Sequence, residues 1–301
     1  MINQHAQPAT AAPTAVSIHP DTAVGCVRLI VSDLENERGF YERVIGLQLI
    51  GSAGETATLG ATASAPLVEL VGDPGAPARP RRASGLFHLA ILVPSRAELA
   101  QSLRRVSDAG WRLSGASDHL VSEALYLDDP EGNGIELYRD RPREEWTYRD
   151  GKLAMSTLPL DLEGVVAELP ADADDPDEGM PASTRIGHVH LQVGNLEDAE
   201  RFYHGLLGFD VVVRGYPGAL FVSAGAYHHH IGLNTWSSLG GGAPPPGSRG
   251  LDRFDVIVPD TDELARLRGR LSAAGLEPQE LDGAAIVADP FGNRVRLIAR
   301  G

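Results

Sequence analysis

Cysteine is almost absent from this chain: Cys26 stands alone among 301 residues. One thiol cannot close an intrachain disulfide, so the core must hold without staples, and a reducing, cytoplasmic compartment is the expected setting. Long apolar runs are missing as well. No stretch reaches the roughly 20 uninterrupted apolar residues of a membrane-spanning helix, and the opening residues lack the apolar centre of a secretory leader. Positive charge is scarce beside negative: 26 Lys and Arg face 41 Asp and Glu, a formal net charge of −15. Such a field disfavours nucleic acid and anionic membranes as general partners. What is present suits ordinary packed domains. The composition is 43% hydrophobic and 22% charged, the length fits about two domains, and 34 Gly with 21 Pro announce many turns.

The order within the chain is a repeat inside a repeat. VGCVRLIVSDL from residue 24 returns as IGHVHLQVGNL from residue 186, and Phe40-Tyr41 with Ile45-Gly46 returns as Phe202-Tyr203 with Leu207-Gly208 at the same offset of 162. A second type of unit starts with LFHLAILVPSRAEL at Leu86 and recurs as LDRFDVIVPDTDEL at Leu251. Ser95 with Glu98, and Asp260 with Glu263, pair an N-cap acceptor with an acidic third residue, the signature of a helix start. Four units follow, at about 22–75, 84–140, 183–236 and 248–300. They group into halves 22–140 and 183–301, preceded by a flexible arm, 1–21, and joined by an irregular, acidic connector, 141–182. Residues 240–250, GGGAPPPGSRG, form a loop between the third and fourth units.

Strand alternation decides which side chains can meet. It puts His188, His190 and Gln192 on one face and Val189, Leu191 and Val193 on the other. His88 and Ala90 oppose Leu89, Ile91 and Val93 in the same way, and Glu136 shares its face with Gly134 and Tyr138. Polar groups can therefore point into a cavity while the other side of each sheet packs. His88, Glu136 and His188 offer two imidazoles and one carboxylate, a donor set suited to a metal ion. A rival set of Cys26, His88 and Glu136 would join adjacent units, but a thiolate suits that chemistry less well, and Cys26 reads as core.

The passages GLFHLAIL, SEALYLDDPEGNGIELY, RIGHVHLQV and AYHHHIGLNTW resemble the vicinal-oxygen-chelate superfamily, and within it the bacterial extradiol catechol 2,3-dioxygenases. The resemblance covers nearly the whole chain. It implies an α+β fold of four repeated βαβββ units forming two domains with curved mixed sheets. It also implies a site of non-haem Fe(II), with Mn(II) as the other metal, held by His88, Glu136 and His188, with no organic cofactor. Cys26 stands where the first unit would carry its histidine, and Arg253 and Arg296 stand at the ligand positions of the fourth, with Asp255 or Glu69 as candidate partners. A second centre of the same design is thereby disfavoured. The complete set falls across units two and three, so those units must meet within one chain or be exchanged between chains.

Further roles follow from the same resemblance. Tyr126, ten residues before Glu136, would sit near the substrate oxygens, and His119 in the preceding loop would support it as a hydrogen-bond donor. In Tyr227-His228-His229-His230, alternation places His228 and His230 together and His229 apart. His230 is matched to the family's acid/base histidine, with His190 and His228 as further cavity candidates and Asn234 and Trp236 at the cavity edge. The expected reaction opens a small aromatic 1,2-diol with O2, giving a 2-hydroxymuconic semialdehyde-type product. A homo-oligomer is a state such repeated domains often take. Two alternatives stand beside this reading: a glyoxalase-like metal-dependent isomerase or lyase, whose usual set contains two Glu, and a non-catalytic aromatic-ligand binding or resistance protein.

Overall fold

Each unit opens with an apolar-alternating strand, turns through a capped helix, and returns in a short antiparallel meander whose last strand lies parallel to the first. In this computed structural model, which describes residues 17–149, 151–169 and 179–300, the first unit comprises β1 (Ala23–Val31), α1 (Leu34–Phe40), β2 (Gln48–Ala53), β3 (Thr56–Thr62) and β4 (Ala65–Gly72). The second comprises β5 (Gly85–Leu92), α2 (Arg96–Asp108), β6 (Gly115–Asp118), β7 (Ser122–Asp128) and β8 (Gly134–Asp140). Between the halves run the small pair β9 (Tyr148–Arg149) and β10 (Lys152–Leu153), then β11 (Leu158–Pro159) and α3 (Leu162–Val166). The third unit holds β12 (Arg185–Gln192), α4 (Leu196–Glu200), β13 (Asp210–Tyr216), β14 (Ala219–Ser223) and β15 (Ile231–Asn234). The fourth holds β16 (Gly250–Val258), α5 (Thr261–Ala273), β17 (Gln279–Leu281), β18 (Ala284–Ala288) and β19 (Arg294–Ala299). No helix among the described residues is long and apolar enough to cross a membrane.

Local chemistry fixes the repeated joints. Asp33, Ser95, Asn195 and Asp260 each accept a backbone N–H three residues on, capping α1, α2, α4 and α5. In the turns after β7 and β18, Asp129 Oδ1 accepts from the N–H groups of Glu131 and Asn133, and Asp289 Oδ1 accepts from those of Phe291 and Asn293. The Tyr41 hydroxyl donates to Asp129 at 3.3 Å and that of Tyr203 to Asp289 at 3.0 Å. The recurring tyrosine therefore ties each first-type unit to the turn of the second-type unit that follows it.

The sheets cross the halves. One has the order β17-β18-β19-β16-β1-β4-β3-β2 and joins the fourth unit to the first. The other, β11-β6-β7-β8-β5-β12-β15-β14-β13, joins the second to the third through the antiparallel pair of β5 and β12. Units two and three thus meet within this chain. Strands β1 and β12 pack against one another, and one continuous apolar core runs beneath both sheets.

Two stretches read as irregular contribute to this core. At the start, residues 1–16 of the expected flexible arm lie outside the described residues, but Ile18 is buried and its N–H donates to Gly208 O. Burial of one apolar side chain and one backbone bond fix the end of that arm. Residues 170–178 of the connector also lie outside the described residues. Its remainder includes α3, β11 hydrogen-bonded to β6, and the buried Met180.

In the sheet of units one and four, the ligand-equivalent positions are taken up by ion pairs. Arg296 grips Asp255 through two bonds of 2.6 and 2.8 Å, and Arg253 reaches Glu69 and Asp252. The paired guanidiniums make a structural bridge there. Cys26 lies beside Asp255 and Glu69 in that sheet, far in the fold from His88 and Glu136, and burial and then these carboxylates push its thiol up to about 12. The Cys26-containing ligand set is not assembled.

Glu37 of α1 is fully buried, and neither of its carboxyl oxygens has a hydrogen-bond partner among the described residues. Burial, then Asp129 and Glu131, push its pKa from 4.5 up to about 9. The equivalent position in the third unit is the buried Ala199, so the fold itself has no need of the carboxyl. Because the folded-state pKa is raised, stability is full below about 4.5 and declines as pH rises toward about 9, at up to about 1.4 kcal/mol per pH unit. Glu37→Gln is expected to flatten that decline. Urea midpoints of both proteins from pH 5 to pH 9 check it, and parallel losses in the two would refute it.

Candidate metal centre

The register of the four central strands assembles the site. One rung runs Tyr126 on β7, Glu136 on β8, Ala90 on β5 and His188 on β12. The next runs Gly134 on β8, His88 on β5, His190 on β12 and Gly232 on β15. Side chains of one rung share a face, so both histidines and the glutamate project to the same side of the sheet. Small residues make the space. Ala90 separates Glu136 from His188, and a Cβ on Gly232 would stand 2.8 Å from the His190 ring.

His88, Glu136 and His188 place one donor atom each within 4.8 Å of one another. Both imidazole Nε2 atoms approach the same oxygen, Glu136 Oε2, at 3.0 Å from His88 and 3.1 Å from His188. All three side chains are buried, and His88 Nε2 has no hydrogen-bond partner among the described residues. Burial pushes His188 down to about 4, against the pull of Glu136. Burial opposes the charge on Glu136, but the facing imidazoles outweigh it and hold the carboxyl well below its usual range. Two imidazoles and an ionised carboxylate thus turn donor atoms toward a common point, an arrangement that a divalent cation satisfies and that fits the donor set of non-haem iron.

A cavity of about 420 Å³ opens in front of His88 and Glu136. Tyr126, His119, His190 and Trp236 all line it. The His119 ring is fixed by the connector: its Nδ1–H donates to Ser156 O at 2.7 Å, so Nε2 accepts the Tyr126 hydroxyl at 2.7 Å. Burial first, and then Glu136, push Tyr126 well above the usual phenol range, which keeps its proton in place. Phe87, Trp236 and Phe221 surround His190 with ring centroids 5.1 to 5.6 Å from it. Met155, Ser156 and Thr157 complete the wall. These connector residues were missed because they belong to no repeat and show no periodicity.

Comparison with known proteins shows the family and the fold. The profile of the Glyoxalase/Bleomycin resistance protein/Dioxygenase superfamily matches residues 23–137 and 185–297. The chain belongs to that superfamily. It is 43% identical over 278 residues to a Bacillus subtilis (strain 168) protein named catechol-2,3-dioxygenase, covering 91% of this chain and 96% of the relative. Among solved structures, a protein of Bacillus subtilis subsp. subtilis str. 168, provisionally assigned as a dioxygenase, superposes with a TM-score of 0.64 at 14% identity, over 95% of this chain and 86% of the other. Glyoxalase I from Zea mays gives a TM-score of 0.56 at 17% identity, over 92% of each chain. These two likenesses establish a shared fold.

On this superfamily scaffold, the histidine run departs from strand alternation. Gly225 and Ala226 have φ values of 60° and 56°, bends follow at His228 and His230, and β15 begins only at Ile231. The broken pleat sends His229 into the cavity, with its ring centroid 4.1 Å from that of His188. His230, expected in the cavity, faces away: its Nδ1 accepts the Ala224 N–H and lies 3.1 Å from the Ser223 hydroxyl. His228 is fully buried behind His229 and does not line the cavity. Its Nε2–H donates to Asp140 at 2.8 Å, so its Nδ1 accepts His229 Nδ1–H at 2.8 Å and leaves His229 Nε2 as the lone-pair nitrogen. Burial, and then the surrounding imidazoles, hold His229 well below the usual histidine range. Asn234 is likewise buried out of the cavity, where its Oδ1 accepts the backbone N–H of Trp236.

Proposed function

We propose that this protein is an extradiol dioxygenase that uses Fe(II) to open a catechol-type ring with O2, giving a 2-hydroxymuconic semialdehyde-type product. The observation that carries the reading is the convergence of His88, His188 and Glu136 at a cavity that also holds His229, Tyr126 and His119. The 43% identity to the protein named catechol-2,3-dioxygenase supports it. Bound to the three ligands, a ferrous ion would supply chelation of both ring oxygens and an electron route between ring and O2.

The chain supplies position and protons. His229 Nε2, unprotonated and held by the His228–Asp140 pair, is the base for a diol hydroxyl and afterwards returns that proton as an acid. Tyr126 shares its proton with His119 in the resting site. Its oxygen can accept from a substrate hydroxyl, and it becomes a donor to the substrate side when His119 gains a second proton. Phe87, Phe221 and Trp236 form an aromatic wall that receives the ring and excludes water.

A glyoxalase-like site would call for a second glutamate, and among the described residues only Glu136 joins the cluster. To test the proposal, the protein is loaded anaerobically with Fe(II), and with Mn(II) in parallel. Oxygen is then admitted to a panel of catechols. Oxygen uptake matched by a yellow ring-opened product is expected with Fe(II). A metal-loaded protein that binds the panel without consuming oxygen would overturn the proposal and favour the ligand-binding reading.

A further inference from the structure

Behind the segment that carries His229 lies a second cavity of about 200 Å³ that shares no lining residue with the first. It is bounded by residues 20–24, the start of β12, and the loop between β14 and β15. His230 faces it. Since the Nδ1 of this ring accepts the Ala224 N–H, the ring proton sits on Nε2, and that N–H has no partner among the described residues.

Arg143 and Arg185 stand at the same cavity. Neither forms an ion pair among the described residues: Arg185 has no polar partner, and Arg143 reaches only the Gly225 carbonyl at 3.5 Å and the face of Trp146 at 5.4 Å. Two guanidiniums at one cavity without an ion-pair partner among the described residues are conspicuous in a chain of net charge −15. The one acidic lining residue, Asp21, is exposed and approaches His19 at 3.9 Å. Burial, then neighbouring imidazoles and the two arginines, push His230 down to about 3, which keeps it a neutral, single-proton donor.

We propose that Arg143, Arg185 and His230 Nε2–H form a binding site for a phosphate-class oxyanion, separate from the catalytic cavity. Paired guanidiniums match the geometry and charge of a phosphate dianion better than those of a monoanion. The site holds the back of the loop whose front presents His229, and Gly225 lies so close to Pro20 that a Cβ there would stand 2.3 Å from its carbonyl oxygen. An anion bound here fastens that loop to β12 and to the turn that carries Arg143, and so steadies the catalytic histidine.

Inorganic phosphate titrated calorimetrically into the 301-residue chain, replacing chloride at fixed ionic strength, tests this. One saturable site per chain is expected, about tenfold weaker in Arg143→Ala and in Arg185→Ala and lost in the double variant. Both side chains are exposed, so these variants keep the fold and the catalytic cavity. Acetate is expected to bind more weakly. Absence of binding, or binding that survives in the double variant and so belongs to the metal centre, would overturn the proposal. Equal affinity for acetate would overturn the phosphate assignment.

Discussion

Glu136→Gln is expected to abolish catechol turnover, by about 10³-fold or more, and to remove metal from the purified protein while the chain stays folded. The amide preserves the shape of a side chain wedged between Tyr126 and Ala90 in the sheet, but it takes away the only carboxylate among the three converging donors. Partners one step removed from a metal are commonly worth about 10–100-fold in affinity or activity, and a direct anionic ligand is worth more. Fold stability is a separate readout. In the metal-free protein the facing imidazoles hold the buried Glu136 carboxyl well below its usual range, so the amide also forfeits that favourable pairing. The wild type should therefore melt higher when Fe(II) or Mn(II) is added, because metal binds only the folded state, and the variant should not. Metal content by elemental analysis, melting with and without added metal, and oxygen uptake form the check. Wild-type metal content in the variant would remove Glu136 from the ligand set.

The common face of these three donors was open to reading because it depends on local rules. Alternation fixed the faces of His88, Glu136 and His188 without any knowledge of the sheets, and the same rule placed Leu89, Val189 and their neighbours in the core, where they are fully buried. Capping residues marked the helices for an equally local reason. Partner choice between units is different in kind. The meeting of β5 with β12 rather than β1 joins residues about a hundred positions apart, and four units with near-identical patterns offer no local term that selects one pairing. The contribution of Ser156 was hidden for another reason: it acts through its backbone carbonyl, which every residue possesses. The salt-bridged positions were half legible. Arg296 pairs with Asp255 and Arg253 with Glu69, the two carboxylates that stood as candidate partners, while the further partner Asp252 was not among them.

His229→Ala is expected to lower turnover by about 10²–10⁴-fold, the usual range for a positioned acid/base group, and His230→Gln to leave it close to the wild-type rate in phosphate-free buffer. Alternation extrapolated backward from β15 gives the reverse order, because Gly232 faces the cavity beside His190 and a regular strand would put His230 there too. The chain does not keep that regularity. Two consecutive left-handed residues, Gly225 and Ala226, reverse its direction after β14, and the bends at His228 and His230 shift the pleat by one residue before the ladder resumes. His229 consequently meets the face of His188, while His228 behind it passes orientation inward from Asp140. Since His229 is not among the three converging donors, its alanine variant should retain wild-type metal content and lose only turnover, and the alkaline and acid limits of the residual rate should flatten as the acid/base group is removed. A His230→Gln variant that fails while His229→Ala turns over normally would restore the strand-alternation assignment. Loss of metal in His229→Ala would instead make this histidine a fourth ligand.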